Sequence, residues 1–246
     1  MKKISITIIV AAYNEEENIE KTLIELHYQL SKYKKQISYE ILVYDDNSTD
    51  KTWEIINKIS KKYRDIIPIH NIKNLGLGGI LKDGIKRARK ERIMLLPGDG
   101  QFKAEEIPYL IKQSVNTDVL ITYHKNYYIR PLKRRILSFL FHFVIKIIFC
   151  IPYKYTNWLH IYKKKVFEVI PIISDRFTFS AEIVIKAHKL GYKIKEVPSY
   201  LKEREKGKSS ALKIRSIINA IYNILKITIE IYLKNRKKYI LKNKLQ

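Results

Sequence analysis

The sequence predicts an α/β fold: a mostly parallel sheet with helices on both faces. Short β-branched runs alternate with stretches of helical periodicity from residue 4 to about 122, and each run ends in a polar or glycine-rich turn. Hydrophobic residues are 46% and charged residues 29% of the chain, which excludes disordered and collagen-like classes. In alternating folds of this kind ligands bind beyond the carboxyl ends of the strands. The turns are therefore where chemistry is sought.

The first run, Ile4 to Val10, follows Met1-Lys2-Lys3 and superficially resembles a signal peptide. The apolar stretch is short and passes into Tyr13-Asn14-Glu15-Glu16-Glu17 without a small-residue cleavage site, so it reads as a buried strand. Glu16 to Leu30 places Ile19, Leu23, Leu26 and Leu30 on one helical face. A second run, Glu40 to Tyr44, leads to a helix over Thr52 to Ile59 carrying Trp53, Ile56 and Ile59. Ile93 to Leu96 is the third run.

The C-terminal half changes character. Residues 136–151 are almost continuously apolar behind the basic cluster Arg130, Lys133, Arg134 and Arg135. That length spans only about 24 Å as a helix against a bilayer core of about 30 Å, which predicts a membrane-surface or re-entrant helix within an interfacial segment, 130–153. From Ser216 to Leu233, the polar residues Ser216, Asn219, Asn223, Lys226 and Glu230 form a narrow stripe on an apolar helix flanked by Lys213, Arg215, Lys234, Arg236, Lys237 and Lys238. Two readings fit: a helix in an anionic membrane interface, or one packed on the core with its stripe outward. Two apolar segments with basic flanks favour the membrane.

Lys and Arg number 48 against 24 Asp and Glu, a formal charge of +24 over 246 residues, which invites a nucleic-acid reading. Residues 1–110 carry 19 basic and 16 acidic side chains, whereas 111–246 carry 29 and 8. The acidic turns at 15–17 and 45–50 suit no nucleic-acid groove, so no nucleic acid is expected as partner. Cys150 is the single cysteine, which excludes a disulfide framework and points to a reducing compartment.

Four turns carry candidate chemistry. Ala11-Ala12-Tyr13-Asn14-Glu15 offers an aromatic face and a carboxylate, or a helix cap at Asn14. Asp45-Asp46-Asn47-Ser48-Thr49-Asp50 sets two adjacent carboxylates where a cap needs one, and carboxylates accept hydrogen bonds from base imino groups and ribose hydroxyls. Asn74-Leu75-Gly76-Leu77-Gly78-Gly79 opens a helix without matching a dinucleotide fingerprint or P-loop. Pro97-Gly98-Asp99-Gly100-Gln101 sets a carboxylate and an amide oxygen two residues apart, within reach of one Mg²⁺ or Mn²⁺, or simply makes a tight turn.

In this order the turns resemble the inverting nucleotide-sugar glycosyltransferase family 2 with the GT-A (Rossmann-like) fold, most closely its branch that loads a sugar onto polyprenyl or dolichol phosphate. The resemblance covers roughly residues 4–213. It implies a GT-A domain over 1–213 and a C-terminal amphipathic helix with a basic tail over 214–246. It also implies a nucleoside diphosphate sugar among Ala11, Tyr13, Glu15, Val43, Asp45, Asp46, Gly98 and Asp99, and a divalent Mg²⁺ or Mn²⁺ at Asp99 and Gln101. Phe177-Thr178-Phe179-Ser180-Ala181-Glu182, with Lys195-Glu196-Val197-Pro198, is similar to the acceptor-side helix and last strand, which sets Glu182 near the acceptor. Arg204-Glu205-Lys206-Gly207-Lys208-Ser209-Ser210 is similar to a phosphate-closing loop, giving Arg204, Lys206 and Lys208 to phosphates and naming Asp99, Glu182 and Arg204 as the catalytic set.

Four departures accompany the likeness. Ala11 stands where the family usually has Pro, Pro97 stands for the first Asp of an Asp-x-Asp-x-Gln motif, and Ser210 stands for Lys. Asn157 to Lys164 lacks the family's acidic residue and Gly-Phe-Arg stretch, so the acceptor pocket differs there. The expected acceptor is a polyprenyl phosphate at the cytoplasmic face of the cell membrane, with the protein peripheral or monotopic. The alternatives are a hydroxyl of a surface glycan or lipid-linked oligosaccharide, a catalytically dead relative, and, more remotely, a nucleic-acid binder.

Overall fold

The computed structural model describes residues 3–174, 178–202 and 214–240, the side chains of 214, 215 and 240 excepted. Seven strands form one sheet: β1 (Ile4–Ala12), β2 (Ile37–Asp45), β3 (Ile66–His70), β4 (Arg92–Pro97), β5 (Val119–His124), β6 (His160–Lys163) and β7 (Ile194–Ser199). Their order is β3-β2-β1-β4-β6-β5-β7. All neighbouring pairs are parallel except those made by β6, which runs antiparallel to both β4 and β5. Crossing one inverted strand restores the direction, so β5 and β7 point the same way as β1 to β4. The carboxyl ends of six strands consequently share one edge, and the amino end of β6 meets them there.

Helices α1 (Ile19–Ser31), α2 (Thr52–Lys62) and α4 (Ile107–Gln113) cover one face through Ile19, Leu23, Leu26, Ile56, Leu110 and their neighbours. On the other face lie α3 (Gly76–Arg87), the single turn α6 (Val166–Val169) and α7 (Phe179–Lys189). Burying the largest of these side chains contributes about 1.5–3 kcal/mol each. The predicted first helix begins three residues later than its periodicity implied. Asn14 does not cap it but takes a left-handed backbone (φ 53°) and turns its side chain to Thr49 N (2.8 Å).

The two apolar segments are helical: α5 (Leu132–Phe149), then α8 (Ile214–Ile229), a π-helical turn (Glu230–Lys234) and α9 (Arg236–Ile240). Ile145, Phe149, Ala181, Ile185, Ile224, Ile227 and Ile231 join α5, α7 and α8 in a third apolar cluster. Asn223 and Glu230 of the α8 stripe face inward, against the outward reading, while Lys226 is exposed. Asn223 is buried and donates to Thr178 Oγ1 (2.9 Å), and Glu230 meets buried Lys186 (2.7 Å). Ile218, Ile221, Tyr222, Leu225, Ile229 and Leu233 are left exposed instead, as are Ile136, Phe139, Leu140, Phe143 and Ile147 on α5.

Candidate active site

The turns after β1 and β2 close on each other. Asn14 N donates to Ser48 Oγ (2.9 Å), Glu15 N to Thr52 Oγ1 (2.8 Å), Glu16 N to Asp50 Oδ2 (3.1 Å), and Lys51 N returns one to Glu16 Oε2 (3.0 Å). This reciprocal stitching holds the half-exposed Tyr13 ring at the sheet edge. Glu15, partly buried, receives Asn18 Nδ2 at 2.7 Å.

The paired carboxylates are occupied by the protein's own donors. Asp45, fully buried, accepts from Ser48 N (3.3 Å) and sits 2.7 Å from His70 Nδ1 on the neighbouring strand end. Asp46 accepts from Asn71 Nδ2, Leu75 N and Gly76 N, each at 2.8 Å. Those last two amides open α3, so Asp46 is the anion at that helix terminus. Both residues shape the floor of the edge rather than present free oxygens, and Val43 lies wholly in the core beneath them. Ala11 is buried beside Gly98, whose N–H donates to Ala11 O (2.7 Å). A Cβ at Gly98 would stand 3.0 Å from that oxygen, so any larger residue would push the two strand ends apart by a few tenths of an ångström.

Asp99 follows at the tip of the β4 turn, where its Oδ1 accepts from Gln101 N (3.1 Å) and Gly100 takes φ 67°. Among the described residues no three His, Cys, Asp or Glu side chains converge on an ion. One carboxylate and one amide oxygen on a single turn fit a hard divalent cation that draws its other ligands from water and diphosphate. They do not fit a closed protein cage.

Beyond β5 lies a cavity of about 490 Å³ between the strand end and the start of α5, lined by Arg130, Arg135, Lys154, His124, Phe139 and Tyr155 among others, none a carboxylate. Its cations rest on aromatic faces: Arg135 is 5.0 Å from the Tyr127 ring centre, Lys154 is 4.4 Å from Tyr123, and Arg130 is 5.7 Å from Trp158. The exposed apolar face of α5 runs directly into it through Ile136 and Phe139. Asn126 ties this corner to the donor edge, since it brackets Leu201 through both backbone groups (2.9 and 2.8 Å), and Leu201 pairs with Phe102 just past the Asp99 turn.

Glu182 is set differently from expectation. Its carboxylate is fully buried, accepts from Ile173 N (2.8 Å) and Ser174 N (2.9 Å), and pairs with Lys186 Nζ (2.6 Å). So engaged, it anchors α7 to the 171–174 segment and is no free base. Phe177, Arg204, Lys206 and Lys208 lie outside the described residues. Sequence reasoning missed His70, His124, Ser138 and Tyr155, which sit in no motif; for His124 the one available signal was its place directly after a β-branched run.

The Glycosyl transferase family 2 model matches residues 7–169. A dolichyl-phosphate beta-glucosyltransferase of Trichomonas vaginalis is 28% identical over 239 residues, 91% of this chain and 73% of the relative. A dolichol-phosphate mannosyltransferase of Pyrococcus furiosus is 34% identical over 117 residues, 47% of this chain and 32% of the relative. Among solved structures, glucosyl-3-phosphoglycerate synthase of Mycobacterium tuberculosis with Mn²⁺, UDP and glucosyl-3-phosphoglycerate aligns with TM-score 0.63 at 13% identity, covering 92% of this chain and 79% of that one. A mannosyltransferase of Pyrobaculum calidifontis with GDP-Man and Mn²⁺ aligns with TM-score 0.64 at 17% identity, over 90% and 64%. The sheet, its order of turns and these matches agree: the chain is a glycosyltransferase with a GT-A-like fold and belongs to glycosyl transferase family 2.

Proposed function

We propose that the protein moves a sugar from a nucleoside diphosphate sugar to a polyprenyl phosphate, inverting the anomeric centre, at the cytoplasmic face of a membrane. The observation that carries the acceptor is the cavity: cationic, free of carboxylates, and continuous with an apolar helix face. Such a lining suits an anionic headgroup on a hydrocarbon tail. The names of the relatives from Trichomonas and Pyrococcus support the same class.

In this reading Tyr13, Glu15, Ala11 and Gly98 form the surface that takes the nucleotide, on the floor built by Asp45 and Asp46. Asp99 and Gln101 would hold Mg²⁺ or Mn²⁺, which when bound neutralises charge on the diphosphate leaving group. Arg130, Arg135 and Lys154 draw the acceptor phosphate to the same edge, and Arg204, Lys206 and Lys208 are proposed as further phosphate contacts. A lipid phosphate oxygen is already an anion near neutral pH, so the attack needs no general base. This accords with Glu182 being spent in a buried ion pair.

The test is an incubation with a panel of labelled nucleotide sugars, polyprenyl phosphate and Mn²⁺ or Mg²⁺. Sugar is expected on the lipid, with loss of at least 100-fold in Asp99→Ala, the size of effect seen when a leading electrostatic group is removed. Transfer to a hydroxyl acceptor and never to lipid phosphate would overturn the acceptor assignment. Full activity of Asp99→Ala under chelation would remove the cation.

A further inference from the structure

Three parts of the chain, the Arg130 segment, α5 and the end of β5, converge on one side chain in the cavity wall, Tyr155. The Tyr155 hydroxyl accepts from Arg130 Nη1 (2.8 Å) and from Ser138 Oγ on α5 (3.2 Å). Its ring stacks on His142 of α5, centres 4.1 Å apart, and tilts against His124 at the end of β5, 4.7 Å away. Its backbone N–H donates to Glu196 Oε1 on β7 (3.1 Å). Trp158, before β6, closes the group 4.7 Å from His124.

The two histidines of this cluster are neutral. Burial, reinforced by nearby arginines, pushes His124 down to about 2. Burial likewise pushes His142 down to about 4, against a hydrogen bond with Ser138 O. Both rings therefore stay uncharged at neutral pH, Glu196 lies against the Tyr155 backbone, and the cation on the Tyr155 hydroxyl is that of Arg130. Arginine has many rotamers, and ordering it on binding costs affinity unless it is ordered beforehand. A guanidinium tied at one nitrogen and lying along two aromatic rings is already placed, with donors left over for a phosphate.

We infer that Tyr155 is a positioning residue of the acceptor site, whose hydroxyl, itself held from α5 by Ser138, fixes Arg130 so that the guanidinium meets a phosphate headgroup entering from the α5 face. The inference rests on the lipid-phosphate reading above. Its ligand chemistry, a phosphate anion, is shared by a lipid headgroup and free phosphate.

Trp158 supplies the readout. Its fluorescence is titrated with farnesyl phosphate and, separately, with inorganic phosphate, in the full-length wild type, Tyr155→Phe, Arg130→Gln and the double variant, followed by steady-state transfer to polyprenyl phosphate. Tyr155→Phe keeps the ring and loses only the two hydrogen bonds. It is expected to weaken farnesyl phosphate binding and raise acceptor KM about tenfold, with the donor KM unmoved. In the double variant the loss should not exceed that of Arg130→Gln, because Tyr155 acts through Arg130. Inorganic phosphate should compete only weakly, which assigns the site to the lipid; equal affinity for both would assign it to free phosphate and overturn the lipid part. Unchanged binding in Tyr155→Phe, or losses that simply add, overturns the positioning role. Binding that Tyr155→Phe weakens, without sugar transfer by the wild type, sinks the proposed reaction and leaves the positioning role standing; absence of binding sinks both.

Discussion

His124, His142 and His160 are each at least nine-tenths buried, and burial is the first cause lowering all three, to about 2, 4 and 3. In the unfolded chain each titrates near its ordinary value of about 6.5, so below that pH the unfolded state binds protons that the folded state refuses. Stability is then complete above about pH 6.5 and falls as pH drops, by about 1.4 kcal/mol per pH unit for each histidine, levelling near pH 4 for His142 first. Urea unfolding between pH 7.5 and 5 should show the midpoint falling, and His160→Gln should flatten the slope by about one third. A midpoint constant over that range would mean these rings are protonated in the fold. The residues explain what the sequence could and could not disclose. The Asp45-Asp46 pair was legible as unusual, yet its use was not, because the partners that occupy it, His70, Asn71, Leu75 and Gly76, come from the end of β3 and the turn beyond it. Glu182 was legible as a helix carboxylate, while its burial depends on Ile173 N and Lys186 Nζ.

At the scale of elements, the strands and helices of the donor half were readable because each is periodic and ends in a turn of marked chemistry. Strand β6 was not, since four residues flanked by Trp158 and lysines carry no period, and its antiparallel place is set by β4 and β5 on either side. Helix α8 was readable as amphipathic but not in sense, for a moment gives a direction and not which side is wet. Lys186 decides it. It is fully buried and paired with Glu182 (2.6 Å) and Glu230 (2.7 Å), so a carboxylate from the last helical turns is drawn inside. Removing the shared cation strands buried Glu182 and partly buried Glu230, and Lys186→Met should cost about 3–5 kcal/mol in equilibrium unfolding. Adding Glu182→Gln and Glu230→Gln should recover much of that loss. A Lys186→Met protein as stable as wild type would show that the carboxylates reach water and that α8 is not keyed by charge.

For the whole molecule, we propose one explanation, an anionic membrane surface, for the charge of +24 and for the outward apolar face of α8. Helices α5 and α8 pack together through Ile145, Phe149, Ile224 and Ile227, and both turn apolar residues outward. Ser216–Lys234 is the one described helix long and apolar enough to cross a bilayer, with mean hydropathy 1.2, yet it is held to α7 by Asn223 and Glu230. Held there, it exposes Leu225, Ile229 and Leu233 beside Lys234, Arg236 and Lys237. An apolar face ringed by cations matches an anionic leaflet, where each basic residue near the surface contributes about 1 kcal/mol. Flotation with vesicles should therefore show binding to anionic and not to neutral lipid at low salt. Raising salt should weaken the binding without abolishing it, because the apolar contact is unscreened while the charge contact falls off within a Debye length. Leu225→Asp, on the exposed face and remote from the strand edge, should release the protein from vesicles by tenfold or more on the order of one buried side chain, and leave its unfolding midpoint in place. Equal partition into neutral and anionic vesicles, or binding unaffected by Leu225→Asp, would separate the charge from the membrane and place the lipid contact elsewhere on the molecule.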